Sequence, residues 1–386
     1  MFRGRRPIRA LVLACVALTS VGSACSAPDQ AASDYLSIEY GQDASGAPVT
    51  DAVGTYTDEG EPKLFTTPHF EIAQVAVLVT DVLDGFTAEA VGLGDGQSLA
   101  SAPGHEFVVA ELKGSYDGNY NGGDGASPEE GVTATVELAA GEQRLELTER
   151  PGPSERVVVA ASVPEGDPVS LRVDDAGRVV SWDLREARYA DDPVSQMAVI
   201  YRQDRGQNLN GSPAAKTAGV VLAPPAYKFP NDPVLAALFP ERRGELVVTV
   251  YLGQAYFLIL PYLNGLGWAP EGTVWADVRD FTVDYQSKLI TVFPGIGSVA
   301  EPPESFTMTG VDGQVYPLVN GNPALGRIAG PLDTQRAVFS VPAGFTRGTF
   351  SFAPQAPVTG LGTGGAVTVT WTQLPPPITI PVDLAR

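Results

Sequence analysis

Short apolar runs, each closed within a few residues by Gly, Pro, Asp or Asn, set the tightest limit on what this chain can fold into. "IAQVAVLVTDV", "EFVVAELKG", "VTATVELA", "RVVVAASV", "VSLRV" and "RVVSWDL" are rich in β-branched residues and partly alternate apolar with polar positions. A period of two sends alternate side chains to opposite faces of a strand. With 42 glycines and 33 prolines spread along 386 residues, long helices have little room. The best helical candidate, "PVLAALF" near residue 235, is short. The expected class is all-β, with strands separated by turns as in sandwiches.

The runs recur in order. "SAPGHEFVVAELKG" aligns with "WAPEGTVWADVRD", placing Ala102 and Pro103 over Ala269 and Pro270, and one residue of slippage brings "VVAELK" over "VWADVR". "TVELAAGEQRLEL" parallels "TMTGVDGQVYPLV", each a strand, a turn closed by Gly141 or Gly313, and a second strand. "RVVVAASVPEGDPVSLRV" parallels "RAVFSVPAGFTRGTFSF", and "GRVVSWDL" parallels "GAVTVTWTQL", which makes Trp182 and Trp371 counterparts. Blocks in one order, with gaps at turn-like positions, point to internal duplication: one sandwich made twice. In each copy Val-Pro-x-Gly ends a strand, where a missing N–H and a permissive φ are both useful.

The first residues, "MFRGRRPIRALVLACVALTSVGSAC", join a basic start (Arg3, Arg5, Arg6, Arg9) to an apolar run and small residues before Cys25. That is the layout of an export signal. The apolar run is shorter than the roughly 20 residues a spanning helix needs. Two processing routes follow: lipidation of Cys25 after cleavage, or ordinary secretion. The expected location is the outer face of the cell membrane as a lipoprotein, or the medium.

The two cysteines, Cys15 and Cys25, both lie in this segment, so the mature part has no thiols for an internal disulfide or a thiolate zinc site. The chain must be held by its cores. A net charge of −20 repels phosphate backbones, so no nucleic-acid partner is expected. The organisation expected is a signal peptide over 1–24, a flexible stalk over 25–64, a first immunoglobulin-like β-sandwich over 65–200, a Pro-rich linker over 201–243 and a second sandwich over 244–386.

The order of elements, with "GHEFVVAELKG", a later Val-Pro strand and a lipoprotein-type signal, resembles the immunoglobulin-like modules of actinobacterial secreted lipoproteins and small secreted antigens. The resemblance covers residues 65 to 190 and 244 to 386. It implies an extracellular β-sandwich of unknown biochemical function and supplies no catalytic residues.

Motifs for catalysis are missing from the sequence. Histidine occurs twice, at His69 and His105, and there is no Gly-x-Ser-x-Gly elbow, Walker loop or His-Glu-x-x-His. A triad of His105 with a Ser and an Asp could form only in the fold. One acidic stretch, "DGNYNGGDG", resembles the start of a calcium loop, with Asp117, Asn119 and Asn121 at alternate positions and Gly122 for the sharp turn. The closing acidic position falls on Pro128, which argues against an EF-hand. Two readings remain: a short turn completed by Asp124 that binds Ca2+ weakly, or a solvated connection between strands. The aromatic run Tyr251, Tyr256, Phe257, Tyr262, Trp268 and Trp275 is core in one reading and a sugar- or protein-binding face in the other.

The expectation is therefore a non-catalytic, lipid-anchored surface protein that binds or spaces envelope components, with an envelope protein or glycan as partner and the membrane reached through Cys25. The rival is an enzyme, or an enzyme's accessory subunit, acting on envelope polymers. Clustering of His105 with Ser and Asp side chains would favour the rival.

Overall fold

The computed structural model describes residues 35–41, 63–93, 96–114, 134–148, 151, 155–202, 206–209, 214–222, 243–252, 255–287, 295–296, 301–319, 335–355, 357–362 and 365–384. Strands dominate, as the alternating runs require. The first, β1 (Tyr35–Gly41), corrects the expected stalk: it lies inside that stretch and pairs with Arg156–Pro164 from Tyr35↔Ser162 to Gly41↔Arg156. Its own alternation explains this, since Leu36 and Ile38 pack on the first core while Ser37 is buried on the other face.

β2 (Lys63–Thr66) and β3 (Glu71–Thr80) follow. A small hairpin of β4 (Val82–Leu83) and β5 (Leu99–Ala100) carries helix α1 (Gly85–Ala90) between its strands. β6 (His105–Gly114), β7 (Thr135–Ala140), β8 (Gln143–Glu146), β9 (Arg156–Pro164), β10 (Val169–Asp175), β11 (Arg178–Asp183) and β12 (Arg188–Tyr189) complete the half. Two antiparallel sheets result, ordered β1-β9-β6-β3-β2 and β12-β11-β10-β7-β8. Between them lie Phe65, Leu112, Leu138, Leu171 and Trp182, all fully buried. Trp182 stacks on Phe65 with centroids 5.4 Å apart and donates its N–H to Gln74 Oε1 at 2.7 Å.

Helix α2 (Pro193–Ala198), capped by Asp192, leads to the second half. The expected linker supplies β13 (Gly206–Asn208) and β14 (Ala215–Leu222), which pair with later strands. The "PVLAALF" segment lies outside the described residues. β15 (Arg243–Tyr251), β16 (Tyr256–Leu260), the hairpin β17 (Tyr262–Leu263) and β18 (Gly267–Trp268), and the long β19 (Thr273–Ser287) come next. Then follow β20 (Gly295–Ile296), β21 (Phe306–Gly310), β22 (Val315–Pro317), β23 (Gln335–Pro342), β24 (Arg347–Phe352), β25 (Val358–Gly362), β26 (Gly365–Gln373) and β27 (Ile378–Asp383). A sheet ordered β13-β16-β19-β15-β14-β26-β25-β20, with β23 also on β19, faces β22-β21-β24-β27. Asp280, at φ 58°, bulges from β19 where the register with β23 shifts. Ala276 and Val278 before it, and Phe281, Val283 and Tyr285 after it, all reach the same core, because one extra residue reverses the alternation.

Several turns and hairpins of the two halves match. Ala102-Pro103-Gly104 and Pro270-Glu271-Gly272 are matching turns, closed by His105 N–H to Ala102 O (2.9 Å) and Thr273 N–H to Pro270 O (3.0 Å). Gly104 and Gly272 sit at φ 76° and 74°, and their carbonyls accept from Glu165 and Ala343 at 3.0 Å each. The matching is thus one residue off the alignment of Ala102 with Ala269. β9 and β23 both end at the Pro of Val-Pro-x-Gly, as the sequence predicts. β7–β8 corresponds to β21–β22, β10 to β24, and Gly141 and Gly313 take φ 56° and 82° in the hairpin turns. The last block departs: β11 pairs with β10, but β24 pairs with β27, while β26 joins β14 and β25 in the other sheet. Trp182 and Trp371 are therefore not counterparts.

Candidate functional site

Cys25 and the acidic stretch with Asp117, Asn119, Asn121 and Asp124 lie outside the described residues. His105 opens β6, half-buried, its Nδ1 3.5 Å from the Pro103 carbonyl. Ser101, the serine beside it, donates its hydroxyl to the His105 carbonyl at 2.6 Å. Of the aromatic run, Phe257, Tyr262 and Trp275 are buried, Trp268 is half-buried, and Tyr256 is exposed, with its hydroxyl 3.3 Å from Asn208 Nδ2.

Among the described residues, a buried set of polar groups gathers instead around Asp175, where the halves meet. The β10–β11 hairpin turns through Ala176 and Gly177 at φ 51° and 78°, the pair of positive values that a type I′ turn needs. Asp175, at the end of β10, is fully buried. Its Oδ2 accepts from Thr67 Oγ1 (2.5 Å) and from the His69 backbone N–H (2.7 Å), and its Oδ1 lies 2.5 Å from His69 Nδ1. One carboxylate thus fixes the turn between β2 and β3. Its own carbonyl accepts Trp268 Nε1–H from the β17–β18 hairpin at 2.8 Å.

That hairpin closes the seam. Tyr262 belongs to the first half's core and meets the His69 ring edge-on at 5.2 Å. The Arg178 guanidinium stands 5.6 Å from the Trp268 ring, a cation–π distance. A buried carboxylate is tolerated only when its lone pairs are satisfied, and here three donors converge on it.

Other buried acids also join neighbouring strands or loops, although Glu111 leaves its Oε2 without a hydrogen-bond partner. Glu111 on β6 bonds Arg156 on β9, and Asp277 on β19 accepts two bonds from Arg336 on β23, at 2.9 and 2.7 Å, with Arg279 at 3.1 Å. Glu301 takes the hydroxyls of Tyr285 (2.6 Å) and Ser305 (2.7 Å) and the Gln355 N–H (2.8 Å). Burial, reinforced by the Glu301 carboxylate, pushes the Tyr285 hydroxyl far above the usual phenol range, so it stays a donor.

Chemically, these groups can join elements, and most of their carboxylate oxygens accept hydrogen bonds in doing so. Among the described residues, no three His, Cys, Asp or Glu side chains gather where they could hold a metal ion. No helix among them is long and apolar enough to cross a membrane. No family model matches the chain, no curated protein matches it, and no solved structure matches it. Sequence reading found His69 but not its partner, which lies 106 residues away and announces itself only as an Asp before Ala-Gly.

Proposed function

We propose that this is an exported, lipid-anchored surface protein whose two related β-sandwiches bind or space other envelope components without catalysing a reaction. The observation that carries the reading is the N-terminal segment, where four arginines, an apolar run and small residues lead to Cys25. A diacylated cysteine supplies the two chains that stable anchoring requires. The relatedness of the halves is part of the proposal and rests on their matching turns, Val-Pro-x-Gly ends and acid–arginine ladders. The resemblance to actinobacterial secreted lipoproteins, carried by "GHEFVVAELKG", a later Val-Pro strand and the lipoprotein-type signal, supports the same reading. Replacing Cys25→Ser in the natural host tests it. The protein should move from the membrane fraction to the medium, or stay unprocessed; an undiminished membrane fraction would refute anchoring through this residue.

A further inference from the structure

We propose that the β4–α1–β5 hairpin of the first half is a docking surface for a partner protein segment that sets basic side chains around an apolar anchor. The inference deepens the binding role above and rests on it. The second half shows what this hairpin does in the same frame. There, β17–β18 has Tyr262 paired with Trp268 and Leu263 with Gly267, and it inserts Tyr262 and Trp268 into the seam. In the first half Val82 pairs with Ala100 and Leu83 with Leu99. Leu83 and Leu263 are both buried, but Val82, at the place of Tyr262, is 48% exposed.

The first half also adds to the hairpin. A tight turn after Leu263 is replaced by α1, in which Thr87 is buried while Ala88, with Val91 at the C-cap, shares a core cluster with Phe107, Val109 and Ala160. Its opposite side presents Phe86, 52% exposed, and Glu89. The helix is bonded at both ends. Asp84 caps the helix by accepting from Thr87 N (2.8 Å) and Oγ1 (2.9 Å), and Tyr35 Oη donates to the Val91 carbonyl at 3.2 Å. A Cβ on Gly85 would lie 2.0 Å from the Gly96 carbonyl oxygen, so the chain crosses itself there in direct contact. An ordered element that keeps a large aromatic side chain in water suits recognition, since pre-organised anchors lose little entropy on binding.

Charge selects the partner. Asp81, Asp84 and Glu89 are exposed around Val82 and Phe86, in a chain of net charge −20. Such a rim attracts basic side chains and opposes an anionic bilayer or a second copy. A second copy is further disfavoured by construction. The end of the first half that receives Trp268 is the β10–β11 turn, whereas in the second half the connection from β24 to β27 carries β25 and β26. The internal seam is a precedent for the chemistry, since its receiving side offers Arg178 to Trp268.

The test uses the purified full chain and a short labelled peptide of alternating lysine and leucine. The peptide should bind, and Phe86→Ser should weaken it at least about tenfold while the melting temperature holds. Asp81→Asn with Glu89→Gln should weaken it several-fold and flatten its salt dependence, whereas the exposed pair Glu142→Gln with Glu165→Gln should not. No binding, an unchanged affinity in Phe86→Ser, or an equal loss in the control pair would overturn the proposal. So would self-association that Phe86→Ser abolishes, which would make a second copy the occupant. Because binding is read in solution, its failure is distinct from a failure of anchoring through Cys25.

Discussion

From the matching turns to the acid that meets an arginine, the first half runs from His105 to Glu111 and the second only from Thr273 to Asp277. The partner strands shorten in step: Pro164 to Arg156 becomes Pro342 to Arg336. In both, the acid faces a valine, Val158 or Val338, and bonds the arginine two residues before it. Losing one residue from a strand would turn its core face to solvent, whereas losing two from each of a pair keeps every later side chain on its own face. A ladder can thus contract in steps of two without disturbing the sandwich. An aligner seeking identical letters places the gap elsewhere.

The two halves should differ most at their tryptophans. Trp182→Ala should cost about 3–5 kcal/mol, because the ring is fully buried and stacked. Trp371 is only half-buried beside the second core, so Trp371→Ala should cost about 1–2 kcal/mol. Urea unfolding of the full chain measures both, and equal losses would restore the equivalence that the strand pairing denies. Next come the ladder acids. Asp277→Ala leaves both Arg336 and Arg279 without their carboxylate and should cost about 2–3 kcal/mol, discounted from a fully buried pair because Arg336 is partly solvated. Glu111→Ala strands Arg156 alone, itself partly exposed, and should cost about 1–2 kcal/mol. A larger loss at Glu111 would mean that the two ladders are not counterparts. The smallest effect should also be the most symmetrical. Gly141→Ala and Gly313→Ala should each cost about 1 kcal/mol, because both glycines have positive φ and an added Cβ meets nothing within 4 Å. Unequal melting shifts at these two sites would show that the hairpins differ in more than sequence.

Much of the frame was legible because it is local. Alternation in "EFVVAELKG" and "RVVVAASV" marks strands, and Val-Pro-x-Gly marks their ends, since both depend on neighbours in the chain. "YLSIEYG" carried the same alternation but sat among small polar residues, and composition hid it. The fourth block misled for a different reason. "GAVTVTWTQL" is a genuine strand, yet which sheet a strand joins is decided by its partners and not by its letters. Asp175 and His69 meet through two turns and a seam, so no spacing rule could pair them.

The Tyr262 contact also has a consequence in time. A polypeptide is made from its N-terminus, so β1 to β12 are all available to pair before the β17–β18 hairpin emerges. Until then the first core lacks Tyr262 and the Asp175 carbonyl lacks Trp268 Nε1–H. The early sandwich must wait with an apolar side open, the condition in which nascent domains are most prone to wrong partners. That core is complete only once the later hairpin has emerged, so the second half supplies the last piece of the first.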